Sequence, residues 1–158
     1  MFNIAGAAIV SKVSEKNKLT LADANNIIQH AFVEAKQLSL APMSVVVLDQ
    51  GGNIIAFQRQ DNAGILRFQI AFAKAYGALG LGIGSRGLAE KAKEIPDFMN
   101  GAISASGGRL IPAPGGVLVL DARNQIIGAV GASGDTSDND EKVIVSGIES
   151  VDFKAKID

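Results

Sequence analysis

Between Leu21 and Leu38, apolar residues recur every three or four positions: Leu21, Ala24, Ile27, Ile28, Ala31, Ala35 and Leu38. That period lines them along one stripe, so residues 20–38 are read as an amphipathic helix. Thr20 stands where an N-cap belongs, and Asp23 completes a capping box with a shorter acid. After Pro42 the pattern changes. Ser44–Asp49 is a β-branched run, Gln50-Gly51-Gly52-Asn53 a turn and Ile54–Gln58 a returning strand. Glycine supplies the positive φ that such a hairpin turn needs. Residues 65–84 are apolar almost all round and predict a second helix. Gly77, Gly80, Gly82 and Gly84 each cost such a helix about 1 kcal/mol against alanine. Close approach to another backbone, or a helix end near Gly80, would account for them. A short polar helix over 86–93 follows, then a connector that starts at Pro96 and runs through Phe98 and Met99.

The stretch from Gly107 to Glu141, GGRLIPAPGGVLVLDARNQIIGAVGASGDTSDNDE, is the densest in signals. Val117–Asp121 and Gln125–Ala132 form a second hairpin around Ala122-Arg123-Asn124. The glycine-rich Gly131–Gly134 segment then delivers the backbone to a helix start rich in acids and hydroxyls. Residues 138–150 are the final helix, with Val143, Ile144, Gly147, Ile148 and Val151 on its inner face. The order helix, hairpin, helix, strands, helix predicts an α+β fold, a mainly antiparallel sheet packed by helices. No tandem repeat or linker interrupts it. Residues 1–18 read as an N-terminal extension, 19–152 as a single domain and 153–158 as a C-terminal tail.

At 158 residues, with 47% hydrophobic and 20% charged, the chain suits one globular domain with a full core. A positive mean hydropathy without a span-length apolar run hints at apolar surface buried between subunits. The net charge of −1 gives no basis for binding nucleic acid or an anionic membrane. The chain has no cysteine, which excludes disulfides, thiolate nucleophiles and Cys-ligated clusters. The opening MFNIAGAAIVSK lacks a basic n-region and a cleavage site, so it reads as an extra strand or arm of a cytoplasmic protein.

Five segments in order resemble one family: LTLADANNII, VVVLDQGGNIIAFQRQDNA (45–63), AFAKAYGAL with Lys74, GGRLIPAPGGVLV (107–119) and IIGAVGASGDTSDNDE (126–141). The chain is similar to the GlcG/HbpS heme-binding-type family, which is related to the C-terminal domain of propanediol-utilisation cobalamin adenosyltransferases. The resemblance implies profilin-like α/β/α layers with a sheet of about five strands. It also implies homo-oligomers, from dimers up to octamers, and an association with heme, corrinoid or small-acid metabolism.

Several residues are candidates for a site, each with a structural alternative. His30 is the lone histidine. At about 100° per residue it falls on the helix flank, as a heme iron ligand or as a surface hydrogen-bonding group. Asp49 precedes a turn, where it binds a ligand or caps backbone amides. Arg59 and Asp61 follow the second strand, as ligand contacts or as an exposed ion pair. Lys74 stands in an apolar helix. It anchors a carboxylate or heme propionate, pairs with Asp49 or Asp61, or snorkels to the surface. Gly131, Ser133 and Gly134 form a backbone pocket floor or a hairpin end. Asp135, Asp138, Asp140 and Glu141 bind a hard cation or cap the last helix.

No G-x-S-x-G elbow or Walker loop is present, and GALGLGIGS ends a helix instead of opening one. Three functions therefore compete. The first is an oligomeric accessory protein binding a small anionic ligand, heme being the specific candidate. The second is an enzyme of small-acid or aldehyde metabolism using Lys74. The third is an interaction module without a ligand.

Overall fold

The computed structural model describes residues 16–158; residues 1–15, most of the expected N-terminal extension, lie outside the described residues. Thr20 caps α1 (Leu21–Gln37) through the expected box. Its hydroxyl accepts from the Asp23 amide, and the Asp23 carboxylate accepts from the Thr20 amide. Ala24, Ile27, Ile28, Ala31 and Ala35 are buried, whereas Leu21 and Leu38, at the two ends of the stripe, are exposed.

Strands β1 (Ser44–Asp49) and β2 (Ile54–Arg59) form the first hairpin. Helix α2 runs Arg67–Leu81 and stops where Gly82 turns left-handed at φ 68°. It is thus shorter than the apolar pattern suggested, because a left-handed residue ends a helix whatever follows it. Helix α3 (Ser85–Glu94) corresponds to the short polar helix. The segment from Pro96 is a helix, α4 (Pro96–Ala105), and not a connector. Proline in the first turn presets φ and gives up an amide that has no helical partner there, so it begins this helix. Strands β3 (Gly116–Leu120) and β4 (Ile126–Ser133) form the second hairpin, and α5 spans Ser137–Glu149. The last residues, read from sequence as a tail, supply β5 (Lys154–Lys156), which pairs with β3.

The sheet order is β2-β1-β4-β3-β5, and every neighbouring pair is antiparallel. Helices cover both faces, as the family resemblance implied. Val45, Val47 and Val130 point towards α1 and α5, meeting Ile27, Ile28, Ile144 and Ile148. Val46, Leu48, Leu118 and Ala129 point the other way, onto Ala71, Ala75 and Ala78 of α2. Strand β1 is therefore buried on both sides, and each such side chain contributes about 1.5–3 kcal/mol by burial. A smaller cluster of Leu88, Met99 and Leu110 joins α3 and α4. Glycines such as Gly131 and Gly147 set the layer spacing. A Cβ on Gly131 would collide with the Ala71 carbonyl, and one on Gly147 would press on the Ile27 backbone. Among the described residues, no helix is long and apolar enough to cross a membrane.

Candidate functional site

Register places three polar residues in one row at an end of the sheet. Ser44 is opposite Arg59 on β2 and opposite Ser133 on β4. Directly paired residues project to the same face. Val46 and Leu48, two and four positions on from Ser44, pack against α2, so Ser44, Arg59 and Ser133 share the α2 face. Arg67, in the first turn of α2, reaches the β4 end of this row and donates from Nη1 to Ser133 Oγ at 3.2 Å. The Ser133 side is thus cationic and rich in hydroxyls. Around it the surface is apolar: Ile65 and Leu66 are exposed, and Phe57 meets Phe68 edge-on at 4.6 Å between centroids.

Lys74 lies two turns along α2 from Arg67, about 10 Å at the helical rise. It is 3% exposed and pairs with Asp140, 1% exposed, at 3.1 Å. Its ammonium also donates to the Ala132 carbonyl at 3.2 Å. The partner is neither Asp49 nor Asp61, the two carboxylates suggested by the sequence. Asp140 accepts from the Asp135 amide with its other oxygen at 3.0 Å. Lys74 and Asp140 therefore pin the Ala132–Asp135 turn between α2 and α5. Asp135 fixes the same turn from outside. Its carboxylate accepts from the Ala41 amide at 2.9 Å, from Asn139 Nδ2 and from the Thr136 amide. Those bonds, the Ala41 amide first, hold its pKa at about 2, with a smaller contribution from the Arg67 charge.

The acidic run caps and clamps α5. The Thr136 hydroxyl accepts from the Asn139 amide, as an N-cap does. Arg86 of α3 donates to Glu141 at 2.9 Å and also pairs with Asp138. These bonds, that to Glu141 foremost, raise the guanidinium pKa above its ordinary value. Among the described residues, no group of three acids or histidines is arranged to hold a metal ion.

Of the other candidates, Asp49 and His30 lie apart from the row. Asp49 is at the far end of β1, five residues and about 16 Å from Ser44. Its carboxylate accepts from the Gly51 and Asn53 amides at 2.9 Å each, and the Asn53 bond leads in lowering its pKa. Asp61 is exposed. With Arg59, Phe32, Val33, Lys36 and Pro42 it borders an open cavity of about 650 Å³ between α1 and the β2 edge. Gly131 and Gly134 are covered, Gly131 by Ala71 and Gly134 by Met43. His30 is half-exposed on the opposite layer, 3.0 Å from Ser146 Oγ on α5, with the sheet between it and the row. The structure places Arg59 and Ser133 on either side of Ser44. It adds Arg67 and Ser44, which the sequence reading had passed over. Arg67 had one signal: it is seven residues from Lys74, on the same helical face.

Comparison with known proteins follows the same lines. Residues 19–149 match the family model described as "Haem degrading protein HbpS-like". A Citrobacter freundii relative, described as an uncharacterized 15.0 kDa protein in the dhaT-dhaS intergenic region, is 34% identical over 137 residues. The match spans 83% of this chain and 90% of the relative. Among solved structures, the PduOC:heme complex aligns with a TM-score of 0.77 at 22% identity, covering 86% of this chain and 96% of that one. The HbpS crystal structure aligns at 0.74 and 24% identity, covering 92% and 98%. At these identities the structural likeness carries the fold.

Proposed function

Because the chain belongs to the HbpS-like family, we propose that it is an oligomeric binding protein for a small anionic ligand, with heme as the specific candidate. The observation that carries this reading is the Arg59–Ser44–Ser133 row with Arg67 at its β4 end. Neither arginine makes a carboxylate ion pair within 4.0 Å among those resolved for the described residues. Two cations at the edge of an apolar rim suit a flat apolar ligand that carries carboxylates. The family description names haem, and a structural neighbour was solved in complex with it; both support heme over other acids.

The residues fit a heme in part. Arg59 and Arg67 would hold its propionates, and Phe57, Ile65 and Leu66 would face its ring. The imidazole of His30 lies across the sheet, so it would reach the iron of such a heme only from a neighbouring copy. The exposed Ile65 and Leu66, and Phe98 on α4, support assembly of copies. Bound heme would bring an iron centre with redox chemistry. Lys74 serves in this reading as a positioning residue: its bonds to Asp140 and Ala132 hold the turn that presents Ser133 and Gly134. Its near-complete burial favours binding over an enzyme that works through this amine. A cytoplasmic location belongs to the same proposal.

A hemin titration followed by Soret absorbance, beside native mass spectrometry, tests it. A saturable band at one heme per subunit or per dimer, with a band shift in His30→Ala, is the expected result. No saturable band would remove heme and leave a small organic acid as the ligand.

A further inference from the structure

Ser44 Oγ is fully buried and has no hydrogen-bond partner. Buried hydroxyls are almost always satisfied, and one that is not costs stability. The next four residues of β1, Val45–Leu48, are apolar and equally buried, so alanine or valine would suit this position for packing alone. The other unpartnered buried side-chain oxygen among the described residues, Glu141 Oε2, has its charge met by Arg86 through Oε1. Ser44 has no such compensation.

Its neighbours along the row bring donors. Ser133, opposite on β4, accepts one bond from Arg67 and keeps its own hydroxyl proton to give. Arg67 has five N–H donors, of which the bond to Ser133 uses one. Asp135, whose carboxylate feels the Arg67 charge, already accepts from Ala41, Thr136 and Asn139. Two hydroxyls and a guanidinium thus share one end of the row with donors to spare, and no carboxylate is resolved among them. A carboxylate is the complement: two oxygens that take a guanidinium fork and accept from hydroxyls at the same time.

We propose that Ser44, Ser133 and Arg67 form a subsite for a single carboxylate group. Arg67 is its movable side. Half-buried and holding Ser133 by one 3.2 Å bond, it turns outward to admit the anion and closes on it. The inference deepens the binding reading above and rests on it. The carboxylate belongs either to a heme propionate or to a free small organic acid.

Calorimetry with succinate and Soret titration with hemin, on the parent and on Ser44→Ala, Ser133→Ala and Arg67→Met, separate these sources. The subsite predicts that Ser44→Ala keeps or raises the melting temperature while weakening at least one of the two probes tenfold or more. Ser133→Ala and Arg67→Met weaken the same probe. Loss of hemin affinity assigns the subsite to a propionate; loss of succinate affinity alone assigns it to a free acid. If the parent binds succinate through Ser44 but never binds hemin, the heme reading falls and the subsite stands. If the parent binds hemin and Ser44→Ala matches it within twofold for both probes, the subsite falls and the heme reading stands. A parent that binds neither probe overturns the subsite as well.

Discussion

Replacing Lys74 with methionine removes the cation from a pair in which both side chains are almost wholly buried. Methionine has nearly the same length, so packing is largely kept and the electrostatic loss dominates. Asp140 would then be left with its bond from the Asp135 amide and no counter-charge. Breaking one side of a buried pair costs about 3–5 kcal/mol, because the surviving charge stays out of water. No discount for solvent screening applies at 3% and 1% exposure. For a domain of this length that is a fall in melting temperature of about 6–20 °C. Urea denaturation followed by far-UV circular dichroism, at fixed protein concentration, measures the free-energy loss, and a thermal scan the fall in melting temperature. Asp140→Asn keeps an acceptor for the Asp135 amide and loses the charge, so alone it should cost a similar amount. Together the two changes should cost less than their sum by about 0.5–3 kcal/mol, as expected of residues in contact. A Lys74→Met loss below about 1 kcal/mol, or strict additivity, would refute the claim that this pair pins the turn after β4.

Other consequences are smaller or of opposite sign. Thr20→Ala removes the cap of α1 and should cost about 1 kcal/mol in the same denaturation assay. Gly131→Ala drives a methyl into the Ala71 carbonyl and should cost about 1–3 kcal/mol by overpacking. Gly80→Ala meets nothing within 4 Å inside α2 and should stabilise by about 0.4–1 kcal/mol. Asp135 has a lowered folded pKa, so its contribution is complete above the unfolded value and is lost as pH falls from about 4 through about 2. Urea midpoints at pH 5 and pH 2.5 should therefore differ more in the parent than in Asp135→Asn.

Local chemistry was legible wherever its partners were near in sequence. The Thr20–Asp23 box, the Gly51–Gly52 turn and the inner face of α5 each depend on residues a few positions apart, and each formed as expected. The start of α4 was misread because proline was weighed as a breaker and not as a first-turn residue. Strand β5 is three residues long and alternates charge with alanine, so no periodicity marks it. The site row was harder. Arg59 and Ser133 stood out as strand ends, but their meeting across Ser44 depends on the register of two separate hairpins. Lys74 stood out as a charge in an apolar helix, with snorkelling to the surface left open, yet its partner is 66 residues away, and nothing local distinguishes Asp140 from its acidic neighbours. His30 fell on the flank of α1 as its helical angle suggested. Only the layering reveals that the sheet separates it from the arginines.

The central claim is that the anionic ligand seats at the α2 end of the sheet row. Paramagnetic broadening tests it directly, with substoichiometric hemin added to ¹⁵N-labelled protein and the amide spectrum read residue by residue. The account predicts that signals from Ser44, Arg59, Arg67 and Ser133 broaden first, while Asp49 and Gly51 at the opposite end stay sharp. Broadening confined to Asp49 and Gly51, or spread evenly over the chain, would contradict it.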